Sequence, residues 1–225
     1  PDDRPGDNLY ATSVIAVDVK TGAIKSHHQY HWNDAWDWDE VVAPMLIDYQ
    51  HGGRTVKGLV HEGRSGYLWL LERTAKGIGF VDAKPFVKQD VFTAIDPATG
   101  RPSYDPARVP HTGKRVEFCP SFWGGKDWPP SAYSPQTGYL YIPANENLCG
   151  RIEGFKRSEA RVPGGVAQRH RALVDVLIVL LSTPDQCGFE QRRRDHPTAT
   201  GVRTTVQQRQ RTDHHPHTRA LIAHR

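Results

Sequence analysis

The stretch Ala94-Ile95-Asp96-Pro97-Ala98-Thr99-Gly100 ends a short apolar run in a turn, and the same pattern recurs at 16–22 and at 132–138. The aspartate or serine side chain of such a turn can bond to its own backbone, and the closing glycine can adopt positive φ. No amphipathic helix pattern separates the copies, so they predict an all-β chain built as a β-propeller or a related array. Because turns of this kind are common, a chance recurrence is the alternative.

Short apolar runs between turn residues predict the strands themselves. They cover 11–17, 24–30, 41–47, 56–60 and 66–71. Pro44 in the third run indicates an edge strand or a bulge, because proline has no N–H for the ladder. The last two runs are separated by a connection of hairpin length.

The stretch 31–40, His-Trp-Asn-Asp-Ala-Trp-Asp-Trp-Asp-Glu, is called the acidic stretch below. In an extended segment alternate side chains share a face, so Asp37 and Asp39 point one way while Trp36 and Trp38 point the other. Two unpaired carboxylates in one place repel each other, and a bound hard cation removes that repulsion. The acidic stretch is thus a candidate cation site, with a solvated acidic turn as the alternative.

The net charge differs between two parts of the chain. Residues 1–150 carry 15 Lys plus Arg against 18 Asp plus Glu, a net of −3, and residues 151–225 carry 14 against 7, a net of +7. All 6 Trp and all 8 Tyr lie in the first part, which therefore holds the aromatic material for a core. The pI near 9.0 belongs to the second part and does not indicate a nucleic-acid partner.

We therefore predict a folded region over 1–150 and an unrelated basic tail over 151–225. The tail has 1 Lys against 13 Arg, and its polar runs at 191–194 and 214–217 lack periodicity. This composition predicts disorder or weak order, and it is also typical of a shifted reading frame in a GC-rich gene. A nucleic-acid tail or a histidine metal tract is the alternative, although nothing spaces these residues for a site.

No apolar run reaches the roughly 18 residues that a membrane helix needs. The longest, 172–181, is interrupted by Asp175. The chain starts at Pro1 with neither an initiating Met nor the apolar core of a signal peptide. We therefore expect a start internal to a longer protein and no transmembrane segment.

Three cysteines are present, Cys119, Cys149 and Cys187, without a C-x-x-C pair, which argues against a zinc site. Cys119 and Cys149 each lie beside turn residues. We hypothesise a disulfide between these two, which would stabilise the fold by about 3 kcal/mol on the loop-entropy model. Such a bond implies an oxidising compartment.

Six markers in order resemble the quinoprotein alcohol dehydrogenases, the methanol and ethanol dehydrogenase family that carries pyrroloquinoline quinone (PQQ). They are Arg4-Pro5-Gly6-Asp7-Asn8-Leu9-Tyr10, the repeat, the acidic stretch, Arg64-Ser65-Gly66-Tyr67, Gly124-Gly125-Lys126-Asp127-Trp128 and Ile142-Pro143-Ala144-Asn145-Glu146. The resemblance covers residues 4 to 150. It implies an eight-bladed β-propeller, of which this chain would supply the middle to late blades.

The resemblance also implies roles for the two acids of the acidic stretch. Asp37 matches the catalytic aspartate, which binds the metal and takes the proton of the alcohol hydroxyl, so it must be ionised and within hydrogen-bond reach. Asp39 matches the extra carboxylate of the lanthanide-using branch, where calcium-type members carry a small uncharged residue. One more negative ligand suits a trivalent ion.

Three more residues are implied to contact the cofactor. Arg64 matches the arginine or lysine that bonds the quinone oxygens, and its alternative role is a turn arginine paired with Glu62. Asp127 falls where relatives often have Asn, so it would repel an acidic quinone unless a cation or a proton intervenes. Trp128 would help to wall the pocket, or serve in plain packing.

The remaining matches and departures concern the frame of the propeller. Cys119 and Cys149 fall where the family has a disulfide. Ser26 replaces the tryptophan that usually docks between blades, so one such contact is expected to be weaker. The family's other metal ligands and the tryptophan floor under the quinone are expected before Pro1.

The resemblance implies a periplasmic oxidoreductase that converts a primary alcohol to an aldehyde with PQQ and Ca²⁺ or a lanthanide ion, and passes electrons to cytochrome c. A non-catalytic β-propeller that serves only for binding or assembly is the alternative. It would explain the repeats but not two convergent acids with an arginine. A third possibility is that the chain itself is an inactive fragment, whose unpaired strand edges would favour aggregation.

Overall fold

The computed structural model describes residues 1–154 and the backbone of one further strand at Leu173–Leu180. Strands, turns and loops make up these residues, and no helix occurs among them. The strands, in chain order, are β1 Ser13–Val17, β2 Ile24–Gln29, β3 Tyr49–His51, β4 Arg54–Val56, β5 Gly58–Glu62, β6 Tyr67–Thr74, β7 Gly77–Pro85, β8 Phe92–Ile95, β9 Pro102–Tyr104, β10 Arg115–Phe118, β11 Ala132–Ser134, β12 Tyr139–Glu146, β13 Gly150–Glu153 and β14 Leu173–Leu180. The predicted all-β class is confirmed. Most of the predicted tail, with Cys187, lies outside the described residues.

The strands form small antiparallel sheets. Two sheets have three strands, in the orders β5-β6-β7 and β11-β12-β14, and the others are the pairs β1-β2, β3-β4, β8-β9 and β10-β13. All but two of the neighbouring pairs join consecutive strands, and β10 pairs with β13 around the β11-β12 hairpin. Repeated small sheets with short connections are the arrangement of propeller blades.

The three repeated turns share one geometry. The Asp18 carboxylate accepts hydrogen bonds from the backbone N–H and the hydroxyl of Thr21, and Asp96 does the same with Thr99. In all three copies the closing glycine donates its N–H to the carbonyl four residues earlier at 2.8 Å, with φ between 71° and 75°. Each turn joins two strands of one hairpin, so the predicted strand-turn unit is confirmed.

Strand β6 lies between two apolar layers. Leu68 and Leu70 pack into one buried cluster, whereas Tyr67, Trp69 and Leu71 pack into the other. The first layer is completed by β12, whose inward residues alternate with outward ones; the second is completed by aromatic side chains of the acidic stretch and of β10. Because one strand is buried on both faces, the sheet β5-β6-β7 is the centre of the core.

The predicted strand at 41–47 was wrong. Only Met45 pairs there, in an isolated bridge with Val60, and the rest of the segment is loop. Pro44 lacks the N–H that a continuous ladder needs, and Val41 and Leu46 are exposed. Elsewhere the predicted strands correspond to observed ones with shifted ends, and β13 continues three residues past the predicted boundary at Gly150.

Ser26 makes a different contact from the one that its family position suggests. Its hydroxyl accepts a hydrogen bond from the Ile78 N–H of β7 at 2.8 Å. Gly77 lies so close that a Cβ there would collide with the Ser26 side chain. The two sheets are therefore joined at this point by a hydrogen bond and a close approach of small residues.

Within the part of the chain that the structure describes, no helix is long and apolar enough to cross a membrane.

The position of β6 gives a stability prediction. Replacing Leu70, which is 1% exposed, with Ala should lower the free energy of unfolding by about 2–5 kcal/mol, because a cavity remains between packed layers. Urea unfolding followed by tryptophan fluorescence measures this loss. The control Val19→Ala, at a side chain that is 95% exposed, should change the value by less than about 0.5 kcal/mol. Equal effects of both changes would contradict this account of the core.

Candidate active site

The acidic stretch is anchored by its tryptophans. Trp36 and Trp38 are fully buried and their rings stack with centroids 5.1 Å apart. Their indole N–H groups donate to backbone carbonyls of distant segments, at Arg108 and Ser121 respectively, each at 2.8 Å. A buried indole needs such a partner, so these two bonds fix the position of the loop relative to the core.

The acids of the stretch divide into structural and exposed ones. The Asp34 carboxylate accepts the backbone N–H groups of Trp36 and Trp38 at 3.2 and 3.1 Å and so shapes the turn. Asp37 and Asp39 are exposed on the side away from the indoles, which agrees with the expected division. The expected extended backbone was wrong, since Asp37 has φ 64° in the left-handed region, which Asp tolerates better than most residues.

Beneath the exposed acids lies a buried carboxylate that the sequence analysis assigned no role. Glu40 is bonded by the Nε2 atom of His61 at 2.9 Å and by the Ser65 N–H at 3.2 Å, and the Nδ1 atom of His31 lies 3.6 Å away. Burial by itself raises the pKa of Glu40, but the interactions with His61, His31 and Ser65 together outweigh it and the net pKa is lowered. Gly63 touches this carboxylate so closely that a Cβ would collide with it.

Arg64 contacts two other predicted site residues, Asp37 and Asp127. Its Nη1 atom donates to the Asp37 backbone carbonyl at 2.7 Å, and its Nη2 atom donates to Asp127 Oδ2 at 2.9 Å. The Asp37 carboxylate oxygen Oδ2 lies 4.0 Å from Nη1. The alternative of a turn arginine paired with Glu62 is wrong, because the guanidinium points to the two aspartates and Glu62 lies beside Lys126.

Two glycines allow this junction to form. Gly124 has φ 74°, and a Cβ there would collide with the backbone and side chain of Arg64. Gly125 donates its N–H to the Arg64 carbonyl at 2.9 Å, and both glycine carbonyls accept hydrogen bonds from Asn145 of β12. Three of the sequence markers thus meet at one place.

The remaining predicted residues lie around this junction. Cys119 and Cys149 form a disulfide, which closes the segment that carries residues 121–128, and beside it the Ser121 N–H donates to the Leu148 carbonyl. Trp128 is 76% exposed. Among the described residues no group of three or more His, Cys, Asp or Glu side chains is arranged to hold a metal ion.

The charges around Asp37 perturb its acidity. Its pKa is raised, first by partial burial and next by the negative charge of Asp39, while the Arg64 guanidinium opposes the shift. Burial by itself lowers the pKa of Arg64, but the bond to Asp127 and the negative charges of Asp127, Asp37 and Asp39 together raise it. The acid and the arginine are therefore electrostatically coupled.

Together these features define a class of structure: a segment of a β-propeller whose loops bring charged residues together beside a segment closed by a disulfide. Residues 2–78 match the family model described as the β-propeller domain of glucose, ethanol and alcohol dehydrogenases with PQQ. Over these residues the chain is therefore similar to the PQQ-dependent alcohol dehydrogenases. The predicted partial β-propeller is confirmed by this match and by the solved structures described next.

Curated relatives match a longer part of the chain than the family model does. The chain is 37% identical over 149 residues to the quinoprotein alcohol dehydrogenase PedH of Pseudomonas putida, covering 64% of this chain and 25% of that protein. The chain is 38% identical over 149 residues to the quinoprotein alcohol dehydrogenase PedE of the same organism, and the match covers 62% of this chain and 23% of that protein. The chain thus spans about a quarter of the length of these curated relatives.

Two solved structures share the fold. The quinohemoprotein alcohol dehydrogenase of Comamonas testosteroni superposes with a TM-score of 0.58 at 32% identity, over 63% of this chain and 20% of that one. A europium-containing methanol dehydrogenase superposes with a TM-score of 0.62 at 25% identity, over 78% of this chain and 32% of that one.

The coupling between Asp37 and its neighbours can be measured by titration. Asp39→Asn should lower the pKa of Asp37 towards its ordinary value, because it removes a repelling charge, and Arg64→Met should raise it, because it removes an attracting one. The measurement is the pH dependence of the Asp37 carboxyl carbon signal in a selectively labelled chain. Asp3→Asn, at an exposed position away from the loop, serves as the control. Shifts of the opposite sign in either variant would contradict the geometry.

Proposed function

We propose that the protein to which this chain contributes oxidises a primary alcohol to the aldehyde with PQQ and a hard cation. The observation that carries the proposal is the Arg64 junction, which places the Asp37 carboxylate and Asp127 on either side of one guanidinium. The relatives are named as alcohol dehydrogenases of the quinone-dependent type. A periplasmic location and cytochrome c as electron acceptor belong to the same proposal, and the disulfide is consistent with an oxidising compartment.

The polar groups present fit a quinone that carries carboxylates. The Nε atom of Arg64 is buried without a hydrogen bond among the described residues, and so is Oδ1 of Asp127. Buried polar atoms of this kind require a partner, and a ligand with both donors and acceptors supplies one to each. Arg64 would hold its oxygens, Asp127 would accept from a ring N–H, and the exposed ring of Trp128 would cover it.

The ion pair between Arg64 and Asp127 reduces the repulsion expected between the Asp127 carboxylate and an anionic quinone. Asp127 is 7% exposed in its side chain and would repel an anionic ligand if its charge were free, but Arg64 binds it at 2.9 Å. A charge-assisted hydrogen bond of this length neutralises the carboxylate locally. Asp127 can therefore stand where relatives often carry Asn.

The same charges favour a cation beside Asp37 and Asp39. Oxygen ligands are those that hard cations prefer, and each added carboxylate increases the advantage of a trivalent ion. The side chain of Asp37 is 68% exposed, so its oxygens are open to a ligand. We assign the metal to these two acids and favour a lanthanide ion over Ca²⁺ because of Asp39.

In the mechanism, Asp37 takes the proton of the alcohol hydroxyl. The bond from Arg64 to its carbonyl fixes the backbone of the loop, and the buried indoles on either side prevent the loop from turning. The positive charge of the guanidinium opposes the rise in the pKa of Asp37 and so favours the ionised carboxylate that a general base requires. The quinone, when bound, supplies the two-electron acceptor for the hydride of the alcohol carbon.

A second function, a propeller used only as a binding or assembly scaffold, is favoured by one observation. The described residues contain no three-ligand metal cluster. On that account Asp37 and Asp39 are solvated acids, and their removal should have no effect on metal affinity.

Metal titration separates the two functions in this chain. We expect Eu³⁺, followed by its luminescence, to bind more tightly than Ca²⁺. Either Asp37→Asn or Asp39→Asn should weaken the affinity for the metal by roughly tenfold or more, because each change removes a charged ligand. Asp3→Asn is the matched control at an exposed acid. Equal affinity in all variants would favour the scaffold.

Activity tests the proposal in the whole protein. Dye reduction that depends on a primary alcohol should require added PQQ and either Ca²⁺ or a lanthanide, and Asp37→Asn should reduce it by roughly two to four orders of magnitude because it removes the base. Asp96→Asn in a distant turn should leave it nearly unchanged. A whole protein that binds no quinone with either metal would refute the assignment.

A further inference from the structure

A second pair of opposite charges lies beside the Arg64 junction. Lys126 is fully buried, its Nζ atom donates to the Asp127 backbone carbonyl at 3.2 Å, and Oε1 of Glu62 lies 4.0 Å from it. Glu62 is 1% exposed, and neither of its carboxylate oxygens has a hydrogen bond among the described residues. A lysine and a glutamate at this depth are rare unless they are paired.

The two pairs connect the same two segments with opposite polarity. The segment at the end of β5 carries the acid Glu62 and, two residues later, the base Arg64. The glycine-rich loop carries the base Lys126 and, next to it, the acid Asp127. Glu62 faces Lys126, and Arg64 faces Asp127.

A different pairing of the four charged groups would join Glu62 to Arg64. Glu62 is the last residue of β5, and Arg64 follows it in the next turn with only Gly63 between them. An unpaired buried carboxylate would be strongly attracted to that guanidinium. Such a bond would take Arg64 away from Asp127 and from the Asp37 carbonyl.

Burial of the pair explains why each member needs the other. Burial raises the pKa of Glu62, and burial lowers the pKa of Lys126. The Ser131 side chain and then the charge of Lys126 oppose the shift of Glu62, and the charges of Glu62 and Asp127 oppose the shift of Lys126. His61 and Glu40 also act on this pair, but they are bonded to one another at 2.9 Å.

We propose that Lys126 is a positioning residue that occupies Glu62 and so keeps the Arg64 guanidinium directed at Asp127 and at the Asp37 carbonyl. Its significance for a quinone rests on the proposed function, whereas the arrangement of charges does not. The ammonium group of Lys126 contacts the Asp127 backbone carbonyl and lies beside the Glu62 carboxylate.

The test uses the full 225-residue chain, labelled with ¹⁵N, at mildly alkaline pH where carboxylates are charged. The readout is the guanidinium N–H signals of Arg64, assigned by their loss in Arg64→Lys. We expect Lys126→Met to shift them, and the double variant with Glu62→Gln to restore them, because the competing charge is then gone. Glu62→Gln alone and the exposed control Lys57→Met should leave them unchanged.

The double variant distinguishes positioning from a general structural role. If Lys126→Met fails to fold while the double variant folds with native Arg64 signals, the charge of Glu62 is the cause and the inference stands. Unchanged signals in Lys126→Met, or a double variant as perturbed as the single one, would overturn it.

A second readout is PQQ affinity, followed by quenching of tryptophan fluorescence. Lys126→Met should weaken binding at least tenfold, and the double variant should recover most of the loss. The measurement uses the whole protein; if that protein, unmodified, binds no PQQ, the proposed quinone site fails, and the Arg64 signals still decide the role of Lys126.

Discussion

The Arg64 guanidinium is the contact on which the site depends. It joins positions 27 residues earlier and 63 residues later in the chain through two bonds of 2.7 and 2.9 Å. One bond goes to a backbone carbonyl and the other to a carboxylate, so it fixes both a loop position and a side-chain direction. The planar fork of arginine makes two such bonds at once, which a lysine ammonium cannot reproduce.

Charges near this contact are buried in compensated pairs. Removing a carboxylate from water costs several kcal/mol unless a cation or strong donors replace the solvent. Glu40 has His61 and the Ser65 N–H, and Asp127 has Arg64. Glycines at 63 and 124 bring the backbone close enough for these pairs to form, since a Cβ at either would collide with a charged partner. The glycine pattern and the charge pattern are therefore two aspects of one arrangement.

Local interactions were predictable from the sequence, and long-range choices of partner were not. The repeated turns depend on side chains that bond within three residues, as Asp18 and Asp96 do. The strand predicted at 41–47 is a loop whose one backbone pairing joins Met45 to Val60, a partner that the local sequence does not indicate. Arg64 could pair with Glu62 or with Asp127, and on our proposal the pairing depends on Lys126, which is 62 positions away in the sequence. The complementary order of charges at 62, 64, 126 and 127 was the signal that could have indicated it.

The charge count of the site argues for a cation. Three carboxylates, at Asp37, Asp39 and Asp127, lie around one guanidinium, and only Asp127 is bonded to it through its side chain. The raised pKa of Asp37 has the repulsion of Asp39 and Asp127 among its causes. An anionic cofactor would add to this excess of negative charge. A multivalent cation bound by Asp37 and Asp39 would reverse it, lower the pKa of Asp37 and keep the carboxylate ionised for proton transfer. In the proposed function, the Asp37 carboxylate would therefore serve both as a metal ligand and as the base.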